Sequence, residues 1–117
     1  MKLFVRIHFV VIVASWSLLV LYSSDVYEEV RAMRAACGDR AHMKTILAVG
    51  ELGSYDNVYA ASMTCMLAGA DFIKTSTGKE SVNATLPGSL VMARAIKDFE
   101  DVYNIQASEI KLVLSVI

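Results

Sequence analysis

The hydrophobic positions of this chain repeat in two alternating periods. From Asp25 to Gly38, Val26, Val30, Met33 and Cys37 recur at helical spacing and give one apolar stripe. Asp25 and Glu28 form a D-x-x-E capping pair, and Gly38 is placed to stop the helix. Glu28, Glu29, Arg31 and Arg34 decorate its other faces as a solvated surface. Lys44 to Val49 then carries a continuous apolar run, Ile46-Leu47-Ala48-Val49, as a strand buried on both faces of a parallel sheet does. Gly50-Glu51-Leu52-Gly53 reads as a turn. Helical spacing returns from Asn57 to Leu67, with Val58, Ala61, Cys65 and Ala68 on one side, and Gly69 closes it. Met63 and Met66 read as packing filler. A second strand follows at Ala70 to Ile73, then a small-residue turn from Thr75 to Lys79. A third helix is predicted from Thr85 to Tyr103, with Thr85 as cap, Pro87 in the first turn and Met92, Ile96 and Phe99 facing inward. Gly88 in this helix would cost about 1 kcal/mol of helix stability.

The order is helix, strand, helix, strand, helix. Equivalent points on the two strands lie about 26 residues apart, the spacing of repeated β/α units on a parallel sheet. Two strands are too few to stand alone. In such a sheet Glu51 and the segment from Lys74 to Lys79 both follow strands and share the C-terminal face. Glu51 reads as a solvated or helix-capping carboxylate.

Both ends differ from this middle. Phe9 to Tyr22 holds 14 residues without a charge, short of the roughly 20 of a spanning helix. With Lys2 and Arg6 ahead of it, the run resembles a signal peptide or signal anchor; its Val, Ile and Phe content also suits a buried strand. From Asn104 on, Ile105, Ile110, Leu112, Val113, Leu114, Val116 and Ile117 form an apolar tail with no capping or turn signal. The expected division is a hydrophobic leader over 1–24, an α/β unit over 25–103 and a tail over 104–117. A membrane contact could come only through 1–24.

Composition narrows the function classes. The chain has 117 residues, enough for one modest domain. Its 11 basic and 12 acidic residues give a net charge of -1, which offers no basic footprint for nucleic acid. The hydrophobic share of 56% is high, and the first 22 residues supply much of the excess. Cys37 and Cys65 lie far apart on apolar helix faces and read as buried free thiols. His8 and His42 suggest no metal site.

The candidate chemistry lies in Asp71 to Lys79, DFIKTSTGK. A lysine ending a buried strand, with hydroxyls and a glycine just past it, can lose its proton and attack an aldehyde to form a Schiff base. Most strand-end lysines are merely solvated. A P-loop is rejected, because Ile73 and Glu80 stand where that motif needs a glycine and a Ser or Thr. Asn83-Ala84-Thr85 matches the glycosylation sequon, although a polar helix entry explains it as well.

Three segments carry a family resemblance: AACGDRAHMKTILAVGELG (Ala35 to Gly53), NVYAASMTCMLAGADFIKTSTGKESVNATLP (Asn57 to Pro87) and SLVMARAIKDF (Ser89 to Phe99). They resemble the animal-type deoxyribose-phosphate aldolases from about Asp25 to Tyr103, roughly a third of a (β/α)8 barrel. The fold implied is α/β, a partial TIM barrel of about two βα units plus a preceding helix.

The activity implied is that of a cytoplasmic class I aldolase, without cofactor or metal. It cleaves 2-deoxyribose 5-phosphate, a small phosphosugar, to glyceraldehyde 3-phosphate and acetaldehyde. Lys74 matches the Schiff-base lysine, and Gly78 and Lys79 match positions that hold the substrate phosphate. A backbone N–H in a glycine turn and a nearby ammonium suit a dianion. Val49 stands where the family usually has Thr.

Two further family features have no match in the residues. One is an aspartate on an earlier strand. The other is a second lysine, in a GFKPAGG segment on the next strand, that tunes the Schiff-base amine by like-charge repulsion. The later glycine and serine turns of the phosphate site are also unmatched. The expectation is an aldolase-type chain, cut short by truncation, splicing or gene prediction, with little turnover alone. A membrane-anchored or interaction fragment is the alternative. Pairing of fragments, or of copies, through open sheet edges is a further option.

Overall fold

A computed structural model of the chain describes residues 23–39, 41–76, 78–79, 81–103 and 111–114. The leader expected over 1–24 lies almost wholly outside these residues. The described elements are α1 (Ser23–Cys37), β1 (Lys44–Ile46), a 3-10 turn (Val49–Glu51), α2 (Tyr55–Leu67), β2 (Phe72–Lys74), α3 (Leu86–Tyr103) and β3 (Lys111–Val113). The strands form one parallel sheet in the order β1-β2-β3. This is the open parallel α/β arrangement that the sequence pattern implied, and it suits the partial (β/α)8 barrel that the resemblance implied.

The third strand comes from the segment read as a tail without an element. It pairs in register, Phe72 opposite Lys111, Ile73 opposite Leu112 and Lys74 opposite Val113. On the other side Lys44, Thr45 and Ile46 face Phe72, Ile73 and Lys74. β2 is therefore central and bonded on both edges.

Side chains alternate across the pleat, so Thr45, Ile73 and Leu112 share one face. That face meets the helices. Val26 and Val30 of α1, Val58, Ala61, Cys65 and Met66 of α2, and Met92, Ala95 and Phe99 of α3 close over Ile73, Leu47 and Met43 in one core. α2 and α3 lie on the same side of the sheet, where they pack together over the shared core. The opposite face carries Lys44, Ile46, Phe72, Lys74 and Val113. On this face the Lys44 ammonium lies 5.5 Å from the centre of the Phe72 ring.

Several boundaries depart from the sequence pattern, each for a local reason. α1 begins at Ser23 rather than Asp25 and ends as expected at Gly38, whose φ of 68° is left-handed. β1 stops at Ile46 although the apolar run continues to Val49. Ala48 turns into the left-handed region (φ 55°, ψ 60°), and the chain then coils into the 3-10 turn. α2 starts two residues early because Ser54 caps it, its Oγ accepting from the Asn57 amide at 3.2 Å. β2 begins two residues late because the Ala70 amide donates to Cys65 O at the end of α2.

Thr85 caps α3 as expected, its Oγ1 accepting from the Gly88 amide at 3.2 Å. Gly88 is buried in that first turn, where a Cβ would lie 3.1 Å from the Thr85 hydroxyl. Its place beneath the cap is a packing reason for a residue that helix propensity alone disfavours.

Both cysteines are free; Cys65 is fully buried, whereas Cys37 is only partly so. Burial pushes the Cys65 thiol from 9.0 up to about 12, partly opposed by a hydrogen bond with Thr45. The folded chain thus keeps a proton that the unfolded chain releases. This contribution to stability is intact below pH 9 and is lost as pH rises toward 12, at up to about 1.4 kcal/mol per pH unit. Urea midpoints are expected to fall above pH 9, and Cys65→Ser to flatten that fall. Iodoacetamide should label Cys37 in the native chain, with Cys65 labelled only after unfolding.

Candidate functional site at the carboxyl ends of the strands

Lys74 is the last residue of β2 and is half-buried. Its backbone is held from both sides. The Leu47 amide donates to Lys74 O at 2.9 Å, the Val49 amide to Thr75 O at 3.0 Å, and the Thr75 amide to Val113 O at 3.1 Å. The ladders thus run one residue past the strand on each edge and fix the backbone at the base of the Lys74 side chain. Ile46 and Val113 flank Lys74 in register, so its immediate row on that face is aliphatic.

The start of the strand is anchored equally firmly. Asp71 Oδ2 accepts from Arg34 Nη1 at 2.7 Å and from the Met43 amide at 2.8 Å. Arg34 also donates through Nη2 to Gly38 O and Ala41 O. One carboxylate therefore ties α1, the entry to β1 and the entry to β2 together. His42 lies 3.8 Å from the same oxygen and packs edge-on against Phe72.

Beyond Lys74 the chain enters the loop that the motif identified. Thr75 and Ser76 are fully buried, with their hydroxyls 3.4 Å apart. Gly78 is buried at φ 92°, a conformation that favours glycine. Its amide donates to Asn83 Oδ1 at 3.1 Å. Lys79 is exposed beside it. The return of the loop packs against the GEL turn, where a Cβ on Gly50 would meet Val82 Cβ at 2.6 Å. Lys74 and the Gly78–Lys79 loop therefore follow the same strand end. Glu51 is exposed in the neighbouring 3-10 turn.

Three polar residues escaped the sequence reading, the first being Arg34, which was read as solvated surface but has a side chain 18% exposed and bonded to Asp71. Lys44 shares the Lys74 face of the sheet; strand alternation would have found it had the register been known. Asn83 reads as part of a sequon, but it is half-buried and holds Gly78.

A cavity of about 510 Å3 opens between the Val49–Val58 stretch and Val82–Gly88. Lys74 does not line it, so it is a flank of the strand-end region rather than the amine's own pocket. Among the described residues no group of three His, Cys, Asp or Glu is arranged to hold a metal ion. Nor is any described helix long and apolar enough to cross a membrane.

An open parallel sheet with helices on one face, and with a lysine ending its central strand, has the architecture of part of a (β/α)8 barrel. Residues 9–114 match the family model described as DeoC/LacD family aldolase, and the chain belongs to that family. The match reaches beyond the 25–103 covered by the motifs. The chain is 68% identical over 74 residues to the deoxyribose-phosphate aldolase of Bos taurus and 66% identical over 74 residues to that of Homo sapiens. Each alignment covers 63% of this chain and 23% of the relative, so the chain spans under a quarter of the curated relatives it matches. Among solved structures, a protein of Coccidioides immitis assigned as a deoxyribose-phosphate aldolase superposes with a TM-score of 0.69 at 27% identity. That match covers 92% of this chain and 38% of the other. One of Toxoplasma gondii gives 0.69 at 22% identity, covering 85% and 36%, and speaks for the fold alone.

Proposed function

We propose that this chain carries the Schiff-base half of a deoxyribose-phosphate aldolase site, with Lys74 as the nucleophile and Gly78 and Lys79 on the phosphate side. The observation that carries the reading is the setting of Lys74. It ends a central strand bonded on both edges, and a glycine–lysine turn follows within a segment that resembles the animal enzymes. The neutral Nζ adds its lone pair to the aldehyde carbon, and the carbinolamine loses water to give an iminium. As the carbon–carbon bond breaks, the adjacent hydroxyl gives its proton to water and becomes the aldehyde of the first product, while the bond's electron pair moves into the iminium to leave an enamine. Water then protonates that enamine at carbon and hydrolyses it, releasing acetaldehyde and the free lysine. The substrate class is a small phosphorylated sugar, and the site of action proposed by resemblance is the cytoplasm.

The 117 residues alone turn over slowly in this reading. Their sequence offers no match to the aspartate that assists proton transfer or to the second lysine, and general acid–base help is worth roughly 10²–10⁴-fold. Imine formation and turnover are thus separable.

The test is reductive trapping of the full chain with acetaldehyde and borohydride, followed by peptide mass analysis. The expected result is an ethyl adduct on the Lys74 peptide that disappears in Lys74→Ala. Absence of that adduct, under conditions that label an intact family member, overturns the reading.

A further inference from the structure

We propose that Asn83 is the positioning residue of the Gly78–Lys79 loop, holding it in the shape that receives a phosphate group. The inference rests on the anion-binding reading above and adds the residue that organises it. Gly78 is buried, and its amide is an obligatory donor that needs a partner. The partner is a side chain, Asn83 Oδ1, at 3.1 Å and five residues on. That bond ties the Gly78 backbone, next to Lys79, to the approach of α3. It also explains the glycine, since the amide is aimed at Asn83 with φ at 92°.

The same stretch is pinned at two further points. Val82 lies against Gly50 of the GEL turn so closely that a Cβ there would be 2.6 Å from Val82 Cβ. Thr85 turns its hydroxyl to the Gly88 amide and starts α3. Asn83 and Thr85, the two polar residues of the sequon, thus act in opposite directions: one holds the loop behind it, the other the helix ahead. With the Gly78 amide engaged by Asn83, that residue contributes shape rather than a vacant donor. Loop preorganisation of this kind raises affinity by removing the ordering cost from binding. The carboxamide that a glycan would occupy is the one that holds the loop.

The test uses the full chain, inorganic phosphate as probe and amide exchange as an independent readout. In the wild type the Gly78 amide should exchange slowly and phosphate should shift the Gly78 and Lys79 amide resonances. Asn83→Ala should release the Gly78 amide while α3 amides stay protected, and weaken phosphate about tenfold. Asn83→Asp, which keeps an acceptor oxygen, should retain Gly78 protection and so separates loop release from misfolding. Unchanged phosphate affinity in Asn83→Ala, or a wild-type Gly78 amide that exchanges freely, overturns the proposal. Trapping of Lys74 by acetaldehyde needs no phosphate. An adduct there with no Asn83 effect removes this inference alone, whereas no adduct removes the aldolase reading.

Discussion

Asp71→Ala is expected to destabilise the fold by about 3 kcal/mol, combining two separate losses. Met43 is fully buried, and its amide would lose the 2.8 Å acceptor. Such an orphaned donor costs about 1–3 kcal/mol. Arg34 would lose its only carboxylate at 2.7 Å among the described contacts. Its side chain is 18% exposed and that of Asp71 30%, so solvent screens the ion pair and its share is the smaller one. Asp71→Asn separates the two, because the amide oxygen can still accept from Met43 while the charge is gone. Urea unfolding should show a loss of about 1 kcal/mol in Asp71→Asn, against the larger loss in Asp71→Ala. Equal losses in the two variants would mean that the charge alone matters.

Ile73→Ala is the second large effect, about 3–4 kcal/mol by the usual cost of emptying a core site. Ile73 has no exposed surface and is the middle residue of the central strand, with Thr45 and Leu112 as its register partners. Strands on both sides restrain the backbone, so the vacated volume cannot close by a shift of the sheet. With typical domain stability at about 5–15 kcal/mol, this one substitution removes a large share. Ile73→Val should cost about 1 kcal/mol. Thermal unfolding of the three chains gives the order directly.

The middle of the chain was legible because its periods were clean. Val26, Val30, Cys65, Met92 and Phe99 lie on core-facing helix positions, and Lys74 ends a strand as the run Phe72-Ile73 implied. The αL turn at Ala48 was not legible, since alanine carries no signal for positive φ; tertiary packing imposes it. β3 was missed because three residues at the edge of an apolar stretch have no period of their own, and their partner is distant in sequence. The proposal of Lys74, Gly78 and Lys79 as site residues comes from the motif and the resemblance. Asn83 was read as part of a polar helix entry that also matches a sequon, because a side chain bonded to a backbone amide five residues earlier has no spacing code. Lys44 became visible only with the register, which puts it on the same face of the sheet as Lys74.

The central claim is that Lys74 is a nucleophile served by an adjacent phosphate loop. Reductive trapping with 2-deoxyribose 5-phosphate, compared with unphosphorylated 2-deoxyribose at equal concentration, tests it most directly. The account predicts an adduct concentrated on the Lys74 peptide, favouring the phosphorylated sugar, with that preference reduced in Lys79→Ala. An adduct spread evenly over exposed lysines such as Lys97, with no preference for Lys74 or for phosphate, would contradict it.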